Sequence, residues 1–311
     1  MNDYLVLHQV TKRFGDKTAV DRLDLNIPRG SIYGIIGPNG AGKTTTIRMM
    51  MNIIVPDSGQ VLLDGHPIDE SFKNLVGYLP EERGLYKKMI LREVALYLGR
   101  LKGASKKEIL DRLDGWLERM DLLEYRNRKV EELSKGMQQK LQFVTTLIHE
   151  PDIIILDELF SGLDPLNIEI IKNIILELKR DGRTILFSTH VMEQAEKLCD
   201  YVCMIANGSK VLDGTMADVR RQYGRDTIQV EIDGDGSFLK SLPGVTAVTE
   251  YTNYFELTIG EEADTRSLIR QIVSGADVIR LEQIRPSLYN IFINLAGKRD
   301  GSGKEAGGGH E

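Results

Sequence analysis

The chain has 311 residues, with 40 Lys and Arg against 46 Asp and Glu, a formal charge of −6 at pH 7. That length suits about two domains, and the acidic balance excludes a basic nucleic-acid footprint, so no nucleic-acid partner is expected. Apolar runs are short, Ile153-Ile154-Ile155-Leu156 being typical, whereas crossing a bilayer takes about 20 residues. The start, Met1-Asn2-Asp3-Tyr4, lacks the order of a signal peptide. Two cysteines, Cys199 and Cys203, exclude a disulfide framework and a multi-cysteine metal site. The expectation is a soluble cytoplasmic protein.

Residues 1 to about 215 alternate short β-rich runs with helical segments. Gly15-Asp16, Asp64-Gly65 and Asn207-Gly208 have the chemistry of tight hairpin turns, because glycine, Asn and Asp tolerate positive φ. Ser31-Ile32-Tyr33-Gly34-Ile35-Ile36 predicts a buried strand leading into a glycine-rich loop. From about 91 to 150 the pattern is helical, an insert in the α/β core. Within it, Ser105-Lys106-Lys107-Glu108 is a capping box opening a helix with Ile109, Leu110, Leu113, Leu117 and Met120 on one face. Apolar strands follow at 153–156 and 184–187, each beside helical sequence, which predicts parallel strands with crossover helices.

Residues 216–226 read as a linker and 227–296 as a smaller α+β domain. Ile228, Val230 and Ile232 share one strand face, and Phe255, Leu257 and Ile259 another. Leu268, Ile269, Ile272 and Val273 have helical spacing, and 278–281 predicts a last strand. The order β-α-β-β-α-β is a ferredoxin-like arrangement, closed by a helix carrying Leu288, Ile291, Phe292 and Leu295. The glycine-rich end, 297–311, reads as a flexible tail.

Gly37-Pro38-Asn39-Gly40-Ala41-Gly42-Lys43-Thr44-Thr45 fits G-x-x-x-x-G-K-[ST] between a strand and a helix. The glycines let backbone N–H groups curl around phosphates, and the helix adds its positive end. In such a loop Lys43 reaches the β- and γ-phosphates and the Thr44 hydroxyl ligates Mg²⁺. Downstream, 153–156 delivers Asp157 and Glu158 to the carboxyl end of a strand, where ligands of open α/β sheets bind. Asp157 would hold Mg²⁺ and Glu158 would polarise an attacking water. Between the two lies Leu133-Ser134-Lys135-Gly136-Met137-Gln138, with Ser134 placed as an N-cap whose helix points free N–H groups at an anion.

Phosphate loop, Leu-Ser-x-Gly-x-Gln, Asp-Glu, Ser161-Gly162-Leu163-Asp164 and Ser188-Thr189-His190, in that order, resemble an ABC transporter ATP-binding subunit. The segment Gly77-Tyr78-Leu79-Pro80-Glu81-Glu82-Arg83-Gly84-Leu85-Tyr86 and the small C-terminal domain resemble the sodium-extrusion and drug-resistance exporter branch. The resemblance implies a P-loop ATPase fold with an antiparallel β subdomain. It implies ATP with Mg²⁺, a separate membrane-spanning permease at the inner face of the membrane, and a second ATPase subunit. Residue by residue, it places Gly37 to Thr45 on the phosphates, Phe14 on adenine, and Glu158, Lys43 and His190 in catalysis. Ser134, Lys135, Gly136 and Met137 match the signature that meets the γ-phosphate bound to the opposite subunit, and Asp164 matches the interface aspartate.

Three departures stand out. Lys135 and Met137 occupy signature positions where Gly and Gln are commonest, Leu159 replaces a common proline, and Glu81 sits where a glutamine senses Mg²⁺ and water. A carboxylate at 81 can also ligate Mg²⁺, so Glu81 is expected to keep the coupling role with altered metal dependence. A soluble ABC ATPase of chromosome, repair or translation work would carry long heptads or tandem ATPase halves, and neither is present. A small P-loop kinase or GTPase would not need the signature segment. Met49, Met50 and Met51 read as core filling, His8, His66, His149 and His310 show no ligand pattern, and Lys106 and Lys107 belong to a solvated helix face.

Overall fold

A computed structural model of the chain describes residues 3–82, 84–223, 227–260, 263–284, 287–292 and 295. They divide into two units, the boundary falling after Gly214. Strands β1 (Asp3–Phe14) and β2 (Lys17–Pro28) form a hairpin in which Phe14 faces Lys17 across the expected Gly15-Asp16 turn. Strand β3 (Ile32–Ile36) is buried at all five positions and runs into the glycine loop and helix α1 (Lys43–Met50). Strands β4 (Ser58–Leu63) and β5 (His66–Pro67) turn on Asp64 and Gly65, both at positive φ. They extend the first hairpin to an antiparallel sheet of order β2-β1-β4-β5.

The chain continues through α2 (Phe72–Leu75), β6 (Val76–Leu79), α3 (Leu91–Leu101), α4 (Lys106–Arg119) and α5 (Lys135–Leu147). It then passes β7 (Ile153–Asp157), α6 (Pro165–Arg180), β8 (Thr184–Thr189), α7 (Met192–Leu198), β9 (Tyr201–Ala206) and β10 (Ser209–Thr215). These strands make a six-stranded sheet of order β10-β9-β3-β8-β7-β6, and β9, β3, β8, β7 and β6 are parallel. β3, β7 and β8 are buried throughout, as expected of parallel strands covered on both faces. Pairing of Ile36 with Thr189 and of Asp157 with Ser188 sets the ends of three strands side by side. The glycine loop, the two acids and Ser188-Thr189-His190 therefore leave the sheet along one edge.

The helical insert forms as its pattern requires. Ser105 Oγ accepts from Glu108 N at 3.2 Å while Glu108 Oε2 accepts from Ser105 N at 2.7 Å, and α4 buries Ile109, Leu113 and Leu117. Leu110, a helical step away from Ile109, is only half-buried. Met49, Met50 and Met51 fill the core between the two sheets with Ile35, Ile155 and Leu186.

The second unit departs from expectation in three places. Residues read as a linker form helix α8 (Met216–Tyr223), capped by Thr215 Oγ1, which accepts from Asp218 N at 3.0 Å, and burying Met216 and Val219. Positions 224–226 lie outside the described residues. Next come β11 (Thr227–Asp233), β12 (Val245–Glu250), β13 (Phe255–Ile259), α9 (Thr265–Gly275) and β14 (Asp277–Ile284). The antiparallel order β12-β13-β11-β14 is the ferredoxin-like one. The expected first helix is instead a 3₁₀ segment, Ser237–Ser241. Gly234 and Gly236 before it and Pro243-Gly244 after it leave too few residues for an α-helix. Val273 is exposed, because Leu268 and Ile272, four apart, already define the face of α9 turned to the core. Residues 288–292 are helical with Leu288 and Ile291 buried, and the expected tail, 297–311, lies outside the described residues. No described helix is long and apolar enough to cross a membrane.

Gly34 is where β3 meets α7: a Cβ there would stand 2.5 Å from Cys199 Sγ, and burial pushes that thiol's pKa up, out of the reactive range. Overpacking of this kind typically costs about 1–3 kcal/mol. Gly34→Ala is therefore expected to lower the denaturant midpoint of the nucleotide-free protein. Adding Cys199→Ala, which removes the obstructing sulfur, should restore most of the loss.

Candidate nucleotide site

The loop after β3 is shaped by two glycines that no other residue could replace. Gly37 has φ +151° and a Cβ there would lie 2.1 Å from the Ile205 carbonyl oxygen; Gly42, the N-cap of α1, has φ +108° and a Cβ there would lie 2.5 Å from the Ala19 carbonyl oxygen. Gly40, at φ +75°, faces open space. Lys43 begins α1 and folds back over the loop. Its ammonium, 5% exposed, donates to the carbonyls of Gly37 at 2.9 Å and Pro38 at 3.2 Å.

Opposite this cation stand the two acids. Asp157 is fully buried. Its Oδ1 accepts from Ser188 Oγ and, at 3.5 Å, from Thr44 Oγ1, while Oδ2 is buried with no hydrogen-bond partner among the described residues. Burial pushes its pKa above the usual carboxylate range, and the bonds from Ser188 and Thr44 oppose that rise. Glu158 carries a feature the sequence does not display: φ +50°, left-handed backbone at a residue with a β-carbon. Such geometry persists only where surrounding contacts over-determine it. Here its N–H donates to Ser188 Oγ at 3.1 Å and Oε2 lies 2.9 Å from His190 Nδ1. Oε1 lies 3.3 Å from Lys43 Nζ, an ion pair outside hydrogen-bond geometry.

A cavity of about 330 Å³ opens in front of these groups, lined by Asn39, Gly40, Gly42, Lys43, Thr44, Thr45, Glu81 and Glu158, with Phe14, Lys17 and Ala19 from the first hairpin. Phe14 is half-exposed at the end of β1, with the Lys12 ammonium 5.8 Å from its ring centroid. The donor set fits a hydrated divalent cation: the orphaned Asp157 Oδ2, the Thr44 hydroxyl and the Glu81 carboxylate are all oxygen ligands.

The remaining predicted residues stand apart from this cavity. Ser134 caps α5, accepting from Met137 N at 3.2 Å, and Ser134, Lys135, Gly136 and Met137 do not line it. Asp164 caps α6 through Asn167 N at 3.0 Å, and its bonds from Asn167 hold its carboxyl below the usual range. Sequence reasoning missed Lys17, Ala19 and the serine of Ser188-Thr189-His190. The hairpin pairing that brings the first two to the loop is long-range, and the third was only part of a quoted motif.

Behind the Glu81 segment, Tyr78, Pro80, Leu85, Leu98, Leu101 and His149 line a second, largely apolar cavity of about 210 Å³. Burial, helped by the Lys102 charge, lowers the His149 pKa from its usual 6.5 to about 4.

The fold and the loop define a P-loop nucleotide-binding ATPase. A family model described as "ABC transporter" matches residues 20–161, and one described as "ATP-binding protein DrrA1-3-like, C-terminal domain" matches 214–296. The chain is 42% identical over 293 residues to the ABC transporter ATP-binding protein YhaQ of Bacillus subtilis, covering 94% of this chain and 98% of that one. It is 34% identical to a Nod factor export ATP-binding protein I of Cupriavidus pinatubonensis, covering 94% and 91%. A solved structure of the ATP-binding subunit of an ABC transporter superposes with a TM-score of 0.67 at 32% identity, covering 71% of this chain and 93% of that one. The chain belongs to the ABC transporter ATP-binding family. It is an ATP-binding subunit and an ATPase.

Because the folded His149 pKa lies below its unfolded value, only the unfolded chain takes up a proton between about pH 6.5 and 4. Stability is then expected to fall with pH across that window, by about 1 kcal/mol on going from pH 7.5 to 5.5. Urea midpoints at the two pH values should show that component in the parent protein and its loss in His149→Leu.

Proposed function

We propose that Lys43, Glu158 and His190 carry ATP hydrolysis in a site completed by a second ATPase subunit, and that the pair drives export through a separate permease. The observation that carries this reading is the fixation of Glu158. A strained backbone, a buried cation and an imidazole hold its carboxylate in the lining of the nucleotide cavity.

Phosphoryl transfer of this class proceeds by positioning and charge neutralisation. The loop from Gly37 to Thr45, with Pro38, Asn39 and Ala41, presents backbone N–H groups to the phosphates, and Lys43 brings a desolvated positive charge. Glu158 orients the attacking water, with His190 holding Oε2. Mg²⁺, held by Thr44, Asp157 and Glu81, would supply charge neutralisation on the phosphate oxygens. Phe14 stacks on the adenine ring. The remoteness of Ser134 and Gly136 from the cavity of their own chain supports a role against the γ-phosphate of the opposite subunit, with Asp164 at the contact between subunits. Two copies meeting head-to-tail would complete two such sites.

Glu81 leads from the cavity towards the apolar pocket behind it, which supports a coupling path to a permease. The Nod factor export relative and the DrrA-like C-terminal match support export, and with it a cytoplasmic location at the inner face of the membrane.

Removing a positioned general base costs about 10²- to 10⁴-fold in rate. Glu158→Gln should lose turnover by that order, keep ATP binding, and shift from monomer to dimer mass only when ATP is added. Unchanged steady-state turnover would sink the assignment, and monomer mass with ATP bound would remove the two-copy site. Glu81→Gln is expected to change the Mg²⁺ concentration required for half-maximal ATPase activity; an unaltered Mg²⁺ titration would take the coupling role from Glu81.

A further inference from the structure

Strand β8 ends on Ser188 and Thr189, directly before His190. Ser188 is fully buried, and its hydroxyl engages both acids of the neighbouring strand. It donates its single proton to Asp157 Oδ1 and accepts the N–H of Glu158 at 3.1 Å. The geometry follows from the sheet, because Asp157 and Ser188 are the last paired positions of β7 and β8. Beyond that pair the β7 backbone turns left-handed, and the amide that Ser188 holds belongs to the residue at the turn.

Two consequences follow from a hydroxyl having one proton and two lone pairs. Giving the proton to Oδ1 occupies that oxygen and leaves Asp157 Oδ2 as the free one. Accepting the Glu158 N–H fixes the backbone from which that carboxylate departs. Two residues later, just past the end of β8, His190 reaches the other end of Glu158, at Oε2. Ser188 and His190 thus grip Glu158 at its amide and at its carboxylate.

We infer that Ser188 is a positioning residue for ATP hydrolysis, setting through the Glu158 amide and the Asp157 carboxylate the direction in which Glu158 enters the cavity. This rests on the proposed role of Glu158 and deepens it. Alanine removes both bonds, whereas threonine keeps the hydroxyl and suits a strand.

The test is a comparison of Ser188→Ala, Ser188→Thr, Glu158→Gln and the Glu158→Gln/Ser188→Ala double variant in the full chain. ATP affinity is measured without turnover beside steady-state kinetics. Ser188→Ala should lose about 10- to 100-fold in kcat, the effect of removing one well-made bond to a charged group, with the ATP Kd within about threefold of the parent. Ser188→Thr should recover most of kcat, and in the Glu158→Gln background Ser188→Ala should cost nothing further. A parent-like kcat in Ser188→Ala, an equal loss in Ser188→Thr, a fully additive double variant, or Kd worsening in step with kcat would each overturn the inference. If Ser188→Ala does not fold, Ser188→Cys, a weaker donor and acceptor, must lower kcat with ATP affinity kept, and a parent-like kcat there overturns it equally. Should Glu158→Gln itself turn over normally, the role of Glu158 fails; a dead Glu158→Gln beside a normal Ser188→Ala condemns only the inference about Ser188.

Discussion

Glu158 leaves β7 with its backbone in the left-handed region, and the rest of the site is arranged around keeping it there. For a residue with a β-carbon that conformation costs about 1–2 kcal/mol. A hydrogen bond to a charged group returns about 1.5–3 kcal/mol net, so one such bond is enough to offset the strain. Glu158 makes such a bond with His190 and an ion pair with Lys43, while its amide is held by Ser188. The parallel sheet is what lets these partners converge, since β3, β7 and β8 end together: Lys43 follows β3 through the glycine loop, and Ser188 and His190 lie at the end of β8 and just past it.

Charge is the second constraint. Lys43, Asp157 and the Glu158 side chain are all under a tenth exposed, and they sum to one uncompensated negative charge when ionised. An unpaired buried charge is costly, which is why burial drives the Asp157 pKa upward against its hydrogen bonds. A cation at the free Oδ2 would relieve the imbalance, and an isolated chain has no second buried ammonium among these residues to do so. Lys43 spreads its charge over the carbonyls of its own loop and the Glu158 carboxylate.

Local patterns carried most of the fold into the sequence. The glycine loop, the hairpin turns, the Ser105 capping box and the uniformly apolar strands each depend on neighbours within a few residues. What stayed hidden depends on distant parts of the chain or on backbone angles. The φ of Glu158 is invisible in a string of letters, and the double bond made by Ser188 exists only because β7 and β8 pair in one register. Helix α8 reads as a linker in the sequence because it buries only two residues, Met216 and Val219, too few to register as a period. The missing first helix of the second unit was a question of room between glycines and a proline, which periodicity does not measure.

Helix α5 connects the Ser134 segment to the loops that carry the acids, although they do not share a cavity. It starts at Ser134, and further along it Gln139 Nε2 donates to the carbonyl of Leu159, directly after Glu158. Gln142 Nε2 donates to the carbonyl of Glu82, directly after Glu81, at 3.4 Å. Gln139 and Gln142 lie three apart, on one face of the helix, so α5 ties both loops to the segment that begins at Ser134. In the proposed pair of subunits, a phosphate engaged by Ser134 in trans would thereby bear on Glu158 and on Glu81 of the same chain. Leu159, where proline is common in the family, keeps its carbonyl as the acceptor for Gln139 and sits fully buried. The link through the 159 carbonyl is a backbone one that leucine and proline can both make, and Leu159 does not line the nucleotide cavity.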